Sequence, residues 1–349
     1  MNIIDLRSDT ITQPTPEMRA AMANAEVGDD VFGEDPTINK MQELAATMLG
    51  KEAGLFVTSG TMGNLASILA HCTRGEEVIM GNTAHTFLFE AGGIAALGGV
   101  TSYLLPNQND GTLALEDILS AIRPNDEHQP ITRLVALENT HNRCGGVALT
   151  AEYTRSICDL AHANGLLVHI DGARLFNAAV VQGVPAADLV AFADSVTICL
   201  SKGLCAPVGS VICGSKEFIH RAHRIRKQLG GGMRQAGFLA AAGIVALENM
   251  VDRLSEDHIH AKNLAKGLST LPGIVLDPGT PYTNMVFISL ANDVSKDAVQ
   301  VKSELKNLGV LVSVTGKRSF RLVTHYWIDA DNVQTAINAF NKVLTTDTN

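Results

Sequence analysis

Apolar residues along this chain fall into short runs separated by longer stretches of helical period. Ala53–Thr58 (AGLFVT), Glu77–Met80 (EVIM), Thr132–Leu137 (TRLVAL), Gly165–Ile170 (GLLVHI), Ser195–Leu200 (SVTICL) and Ser210–Cys213 (SVIC) each read as a buried strand. Between them the stretch from Ser59 to about Cys72, Thr150–Asn164 and Pro185–Phe192 read as helices. Near-continuous apolar strands alternating with helices imply a mostly parallel sheet covered on both faces. The longest apolar stretch, Gly237–Leu247 (GFLAAAGIVAL), is too short to span a bilayer and reads as a buried helix. After about residue 250 the pattern changes. An amphipathic helix at His258–Leu271 precedes short strands at Gly273–Leu276 and Asn284–Leu290, a helix near Asp297–Leu308, strands at Val310–Val314 and Ser319–Leu322, and a last helix near Asp331–Thr345. This βαβ-type succession predicts a smaller α/β domain over 251–349, after a large domain over 1–250.

Composition narrows the class. A chain of 349 residues exceeds one small core, which agrees with two domains. With 46% hydrophobic and 18% charged residues it has the balance of a globular protein, not a disordered one. A net charge of −9 argues against a phosphate backbone, so nucleic acid is not an expected partner. The start lacks the basic and apolar regions of a signal peptide, and no membrane span is expected. Six cysteines, at 72, 144, 158, 199, 205 and 213, form no CxxC pair; they read as reduced thiols of a cytoplasmic protein, with no metal site.

Several places carry candidate chemistry. Lys202 follows the strand Ser195–Leu200; a lysine leaving a core strand loses hydration, which makes its neutral amine available for a Schiff base, although it can also snorkel into solvent. Asp171 ends the strand of Gly165–Ile170, where open α/β sheets place ligands. It suits the pyridine nitrogen of a pyridoxal phosphate ring, or a simple N-cap. The pair, 31 residues apart and each after its own apolar strand, favours the cofactor. Ser59, Gly60 and Thr61 lie at a strand-to-helix junction that suits a phosphate or ordinary helix capping, and no P-loop or dinucleotide fingerprint is present. His85, just after a short strand, could stack on a flat ring or exchange protons, or be an ordinary loop histidine. Arg174 and Arg321 suit a substrate carboxylate or an internal salt bridge. The basic run Arg221–Lys227 reads as a solvated helix face.

These segments resemble the low-specificity L-threonine aldolase family over essentially the whole chain. The resemblance rests on Asp5-Leu6-Arg7-Ser8-Asp9-Thr10, the stretch Glu26 to Pro36, Ser59-Gly60-Thr61-Met62, Leu137 to Asn142, His169-Ile170-Asp171-Gly172-Ala173-Arg174, Leu200 to Leu204, Gly230 to Gly237 and Arg321 to His325. It implies a pyridoxal-phosphate enzyme of fold type I, with a mostly parallel seven-stranded sheet flanked by helices and a smaller C-terminal α/β domain. It further implies that Lys202 carries the cofactor, Asp171 pairs with its ring nitrogen, and Ser59, Gly60 and Thr61 hold its phosphate. Lys227 and Arg234 would reach the phosphate from a neighbouring subunit. His85 would stack on one ring face and Ala173 would close the other. Ser8, Arg174 and Arg321 would bind the substrate carboxylate, His85 and His128 would meet the β-hydroxyl, and Glu90 would lie close to His85. The assembly implied is a homotetramer, a dimer of dimers with shared active sites, cleaving L-threonine or L-allo-threonine to glycine and acetaldehyde. The same scaffold also supports a phenylserine-type aldolase, a β-eliminase or, remotely, a non-catalytic pyridoxal-phosphate protein. The chain departs from many relatives at Arg143-Cys144-Gly145-Gly146.

Overall fold

The structure, a computed structural model, describes residues 3–277 and 279–345. Its contacts divide the chain into two compact units, one spanning Pro14–Val251 and the other built from Asp252–Asn349 and the segment ending at Gln13. The N-terminal segment goes with the C-terminal unit because Ile4–Asp5 pairs in parallel with Val310–Leu311.

In the larger unit seven strands form one sheet: β1 (Ala53–Val57), β2 (Glu76–Gly81), β3 (Thr101–Leu105), β4 (Ile131–Glu138), β5 (Leu167–Gly172), β6 (Ser195–Cys199) and β7 (Ser210–Gly214). Their order is β1-β7-β6-β5-β4-β2-β3. β7 runs antiparallel to both neighbours, and every other pair is parallel. Every residue of β2, β6 and β7 is buried, as expected where helices cover both faces. β3, which the hydrophobic pattern did not reveal, is an edge strand that begins on exposed Thr101.

Helix α1 (Gly60–His71) follows β1 and lies close over β6. Gly63 sets that approach, since a Cβ there would fall 2.5 Å from Thr197 Cγ2. Helix α2 (Lys216–Gln228) carries the basic run, exposed as expected at Arg221, Arg224 and Lys227 but not at Arg226. Arg226 is only 1% exposed; its guanidinium donates to Asp30 Oδ2 and Phe56 O, each at 2.8 Å. A buried cation persists only with such partners. Helix α3 (Gly237–Asn249) is the expected buried helix, sheltered along most of its length and packed with the helices Pro16–Ala23 and Pro36–Met48.

The smaller unit contains a four-stranded sheet ordered Ser313–Val314, Ser319–Val323, Met285–Leu290, Ile274–Leu276. Its pairs are all antiparallel, unlike those of a βαβ succession. The helix Ala298–Asn307 does follow Met285–Leu290, but the chain then runs through Ser313–Val314 and turns back before Ser319–Val323 joins the sheet, which reverses that strand's direction. The helices Leu254–Leu268, Ala298–Asn307 and Ala330–Thr345 supply the rest of its core, where Phe320 meets Phe340 edge-on at 6.1 Å. No described helix is long and apolar enough to cross a membrane.

Candidate active site

The larger unit gathers its polar groups at the carboxyl edge of the parallel strands. Asp171 stands at the end of β5, buried. Its Oδ1 accepts the backbone N–H of Ala173 at 3.1 Å, and its Oδ2 accepts a hydrogen from Asn64 Nδ2 at 2.9 Å. The same Asn64 nitrogen donates to Glu90 Oε1 at 2.9 Å, so one amide joins two buried carboxylates. Glu90 Oε1 also accepts from His85 Nδ1 at 3.0 Å. Burial pushes the Glu90 carboxyl up, while the bond to Glu90 raises the His85 imidazole. The next strand, β6, leads directly to half-buried Lys202, whose charge is felt at His85.

His85 is held from behind as well. Its backbone N–H donates to Glu138 Oε2 at 2.7 Å, and Glu138 Oε1 accepts from the Asn142 N–H at 2.8 Å. The departure at Arg143-Cys144-Gly145-Gly146 stays local. Gly145 and Gly146 take positive φ, and His141 N–H donates to Val147 O at 2.9 Å to close the turn. Ser59 caps α1, its Oγ accepting the Met62 N–H at 3.1 Å. The N–H groups of Gly60 and Thr61 have no carbonyl within the helix, the usual setting for an anion.

Arg174 is buried in the turn after β5, next to Ala173. In the smaller unit, Arg321 Nη2 donates to Arg7 O at 3.4 Å, which brings this arginine beside Ser8. The Ser8 hydroxyl caps the short turn Asp9–Ile11. Lys227 and Arg234 are exposed; Arg234 pairs with Asp29 at 2.9 Å, and Lys227 lies alongside Gly232. The structure does not bring His128 to this group within one chain. It is highly exposed, paired with Asp126 at 2.7 Å, and sits before the start of β4, whose far end, Glu138, aligns with Asp171. At about 3.3 Å per residue along that strand, the gap is on the order of 20 Å.

Two residues here were not singled out from sequence for what they do. Asn64 leaves one signal in the sequence, a polar residue within the largely apolar helix α1. Glu138 ends an otherwise apolar strand.

A lysine and an aspartate leaving adjacent strands at one sheet edge, on this topology, place the chain among the α/β proteins of fold type I. The beta-eliminating lyase family matches residues 5–293. Low-specificity L-threonine aldolase 1 of Arabidopsis thaliana is 47% identical over 99% of this chain and 98% of its own length. The low specificity L-threonine aldolase of Escherichia coli K12 is 46% identical over 93% of this chain and 94% of its own. The solved Leishmania major threonine aldolase shares the fold, with a TM-score of 0.84 at 23% identity over 98% of this chain and 99% of its own. The chain belongs to the beta-eliminating lyase family and, within it, to the low-specificity L-threonine aldolases.

Proposed function

We propose that this protein cleaves L-threonine and L-allo-threonine to glycine and acetaldehyde, using pyridoxal 5′-phosphate. The observation that carries the reading is the His85–Glu90–Asn64–Asp171 cluster beside Lys202 at one sheet edge.

The residues fit the cofactor. Among the described residues each Asp171 oxygen accepts one hydrogen bond, from Asn64 or from Ala173, so the carboxylate keeps capacity for a ring N–H. Glu90 Oε2 is buried with no partner among the described residues, as is Ser210 Oγ, 3.7 Å from where a Gly60 Cβ would stand. Lys202 would hold the group covalently through Nζ, Asp171 would accept its ring proton, and Ser59, Gly60 and Thr61 would bind its phosphate. His85 and Ala173 would lie against its two faces. When bound, pyridoxal phosphate supplies a sink for the electrons of the breaking Cα–Cβ bond.

The chain's own groups do the rest. By the family resemblance, Arg174, Arg321 and Ser8 would bind the substrate carboxylate, which would fix the bond to be broken in a reactive orientation. Glu90 engages His85 Nδ1, so Nε2 is the atom available to take the β-hydroxyl proton. A positioned base of this kind is worth about 10²–10⁴ in rate. Lys227, Arg234 and His128 would act on a neighbouring subunit's site, within a homotetramer built as a dimer of dimers. Six cysteines without a CxxC pair favour a reducing compartment, the cytoplasm.

The test is coupled detection of acetaldehyde from L-threonine, L-allo-threonine and L-serine with added cofactor. The expected result is acetaldehyde with equimolar glycine from either threonine, abolished by Lys202→Ala. No acetaldehyde from either isomer overturns the reading, and ammonia from L-serine would point to β-elimination instead.

A further inference from the structure

The amide that joins Asp171 to Glu90 is itself held from the far side. Asn64 Oδ1 lies 3.3 Å from His169 Nε2; His169 Nδ1 lies 2.8 Å from Ser195 Oγ; and Ser195 Oγ lies 2.7 Å from His71 Nε2. All four side chains are buried, His169 and Asn64 at 1% exposure and Ser195 at zero. Asn64 and His71 are seven residues apart on α1 and so share a face. His169 and Ser195 face each other across the β5–β6 pair. The series runs from the carboxyl edge of the sheet to its amino edge. There His71 stacks on Phe218, with centroids 4.5 Å apart, and borders a cavity of about 370 Å³ that Lys51, Asp194 and Arg221 also line.

Chemistry dictates the direction of every bond. Asn64 Nδ2 faces two carboxylate oxygens, so the amide oxygen must be the atom turned toward His169. His169 Nε2 must then carry a hydrogen. Burial pushes its pKa down to about 3, so the ring is neutral and its Nδ1 is an acceptor. The Ser195 hydroxyl can satisfy Nδ1 only by donating, so its oxygen accepts from His71 Nε2–H. Burial likewise lowers His71, to about 4, leaving a bare Nδ1 with no partner among the described residues. An amide flip would place its oxygen against two carboxylates and its N–H₂ against a ring N–H, so the whole series has one consistent orientation.

We propose that His71, Ser195 and His169 form a directed hydrogen-bond series that locks the Asn64 amide, and through it holds Asp171 and Glu90 in place for the cofactor. The three are positioning residues. Their link to cofactor binding rests on the functional reading above, whereas the orientation of the series does not.

Two measurements on the holoenzyme test this. Nitrogen-15 histidine NMR is expected to show His169 and His71 neutral and protonated on Nε2 at pH 7. A Nδ1-protonated or doubly protonated ring at either position overturns the series. Pyridoxal phosphate titration, followed by absorbance, then compares His169→Leu with His169→Gln, whose amide can still donate to Asn64 and accept from Ser195. The expected result is cofactor binding weakened about tenfold in the leucine variant and restored to within about threefold in the glutamine variant. Wild-type binding in the leucine variant, or equal loss in both, overturns the positioning role. If His169→Leu does not fold, Ser195→Ala, which removes one hydroxyl, is compared with wild type: weakened binding supports the role, and unchanged binding overturns it. A wild-type protein that takes up no pyridoxal phosphate overturns the functional reading, and the tautomers alone then judge the series.

Discussion

His85 takes its character from three neighbours that the primary structure scatters: Glu90, Glu138 and Asp171. The Glu90 carboxylate raises the imidazole, so the ring stays protonated to a higher pH than a free histidine. If neutral His85 takes the β-hydroxyl proton, kcat/KM rises as pH climbs through that raised pKa. Glu90→Gln keeps an acceptor oxygen but removes the charge. The acidic limb of the kcat/KM profile is expected to move to lower pH, with activity reduced; a limb that stays in place shows that His85 is not the group titrating. Ser59, Lys202 and Asp171 could be singled out from sequence because each follows an apolar strand. Asn64 could not, because its importance lies in which carboxylates face it, and those come from residues 90 and 171.

Helix α1 does two jobs at once, presenting its first N–H groups at one sheet edge and carrying Asn64 down to Asp171. Both depend on the closeness that Gly63 permits over Thr197. Thr197 is β-branched and enclosed in a fully buried strand, so it has little room to yield. Gly63→Ala is expected to cost about 1–3 kcal/mol of stability and to weaken cofactor binding in parallel. Thermal unfolding and cofactor titration check this together; an alanine variant as stable and as tight as wild type would show that the helix can shift without consequence. The strands were readable where burial on both faces made them continuously apolar. β3 was not, because an edge strand with an exposed start has no such run. The antiparallel pairing of the smaller unit leaves no such trace, since a strand that returns to the sheet after a reversal has the same apolar pattern as one that returns directly from a helix.

At the scale of the whole molecule, burying neutral histidines ties stability to pH. The folded pKa values of His71 and His169, about 4 and about 3, lie below the ordinary histidine value near 6.5. The unfolded chain therefore binds more protons between those limits. Stability from this source is full above about pH 6.5 and is lost as pH falls toward 4, with His71 contributing on the order of 3 kcal/mol. Urea unfolding between pH 7.5 and 5 should show a falling midpoint, and the fall should be shallower in His71→Gln. An equal slope in the two proteins would count against the buried neutral ring.

Alternating apolar runs and helical stretches determine the layered α/β architecture, because a strand covered on both faces can only be apolar along its length. Residues next to strand ends, such as Asp171 and Lys202, are determined to that extent too, since the carboxyl edge of such a sheet is where side chains meet a ligand. The tertiary structure alone decided the rest. It put Asn64 between Glu90 and Asp171, turned Arg226 inward to Asp30, joined residues 3–13 to the smaller unit, and left His128 far from its own chain's Asp171. Each of these depends on which distant segments face one another, and hydrogen-bond partners across more than a hundred residues leave no period or spacing in the chain that makes them.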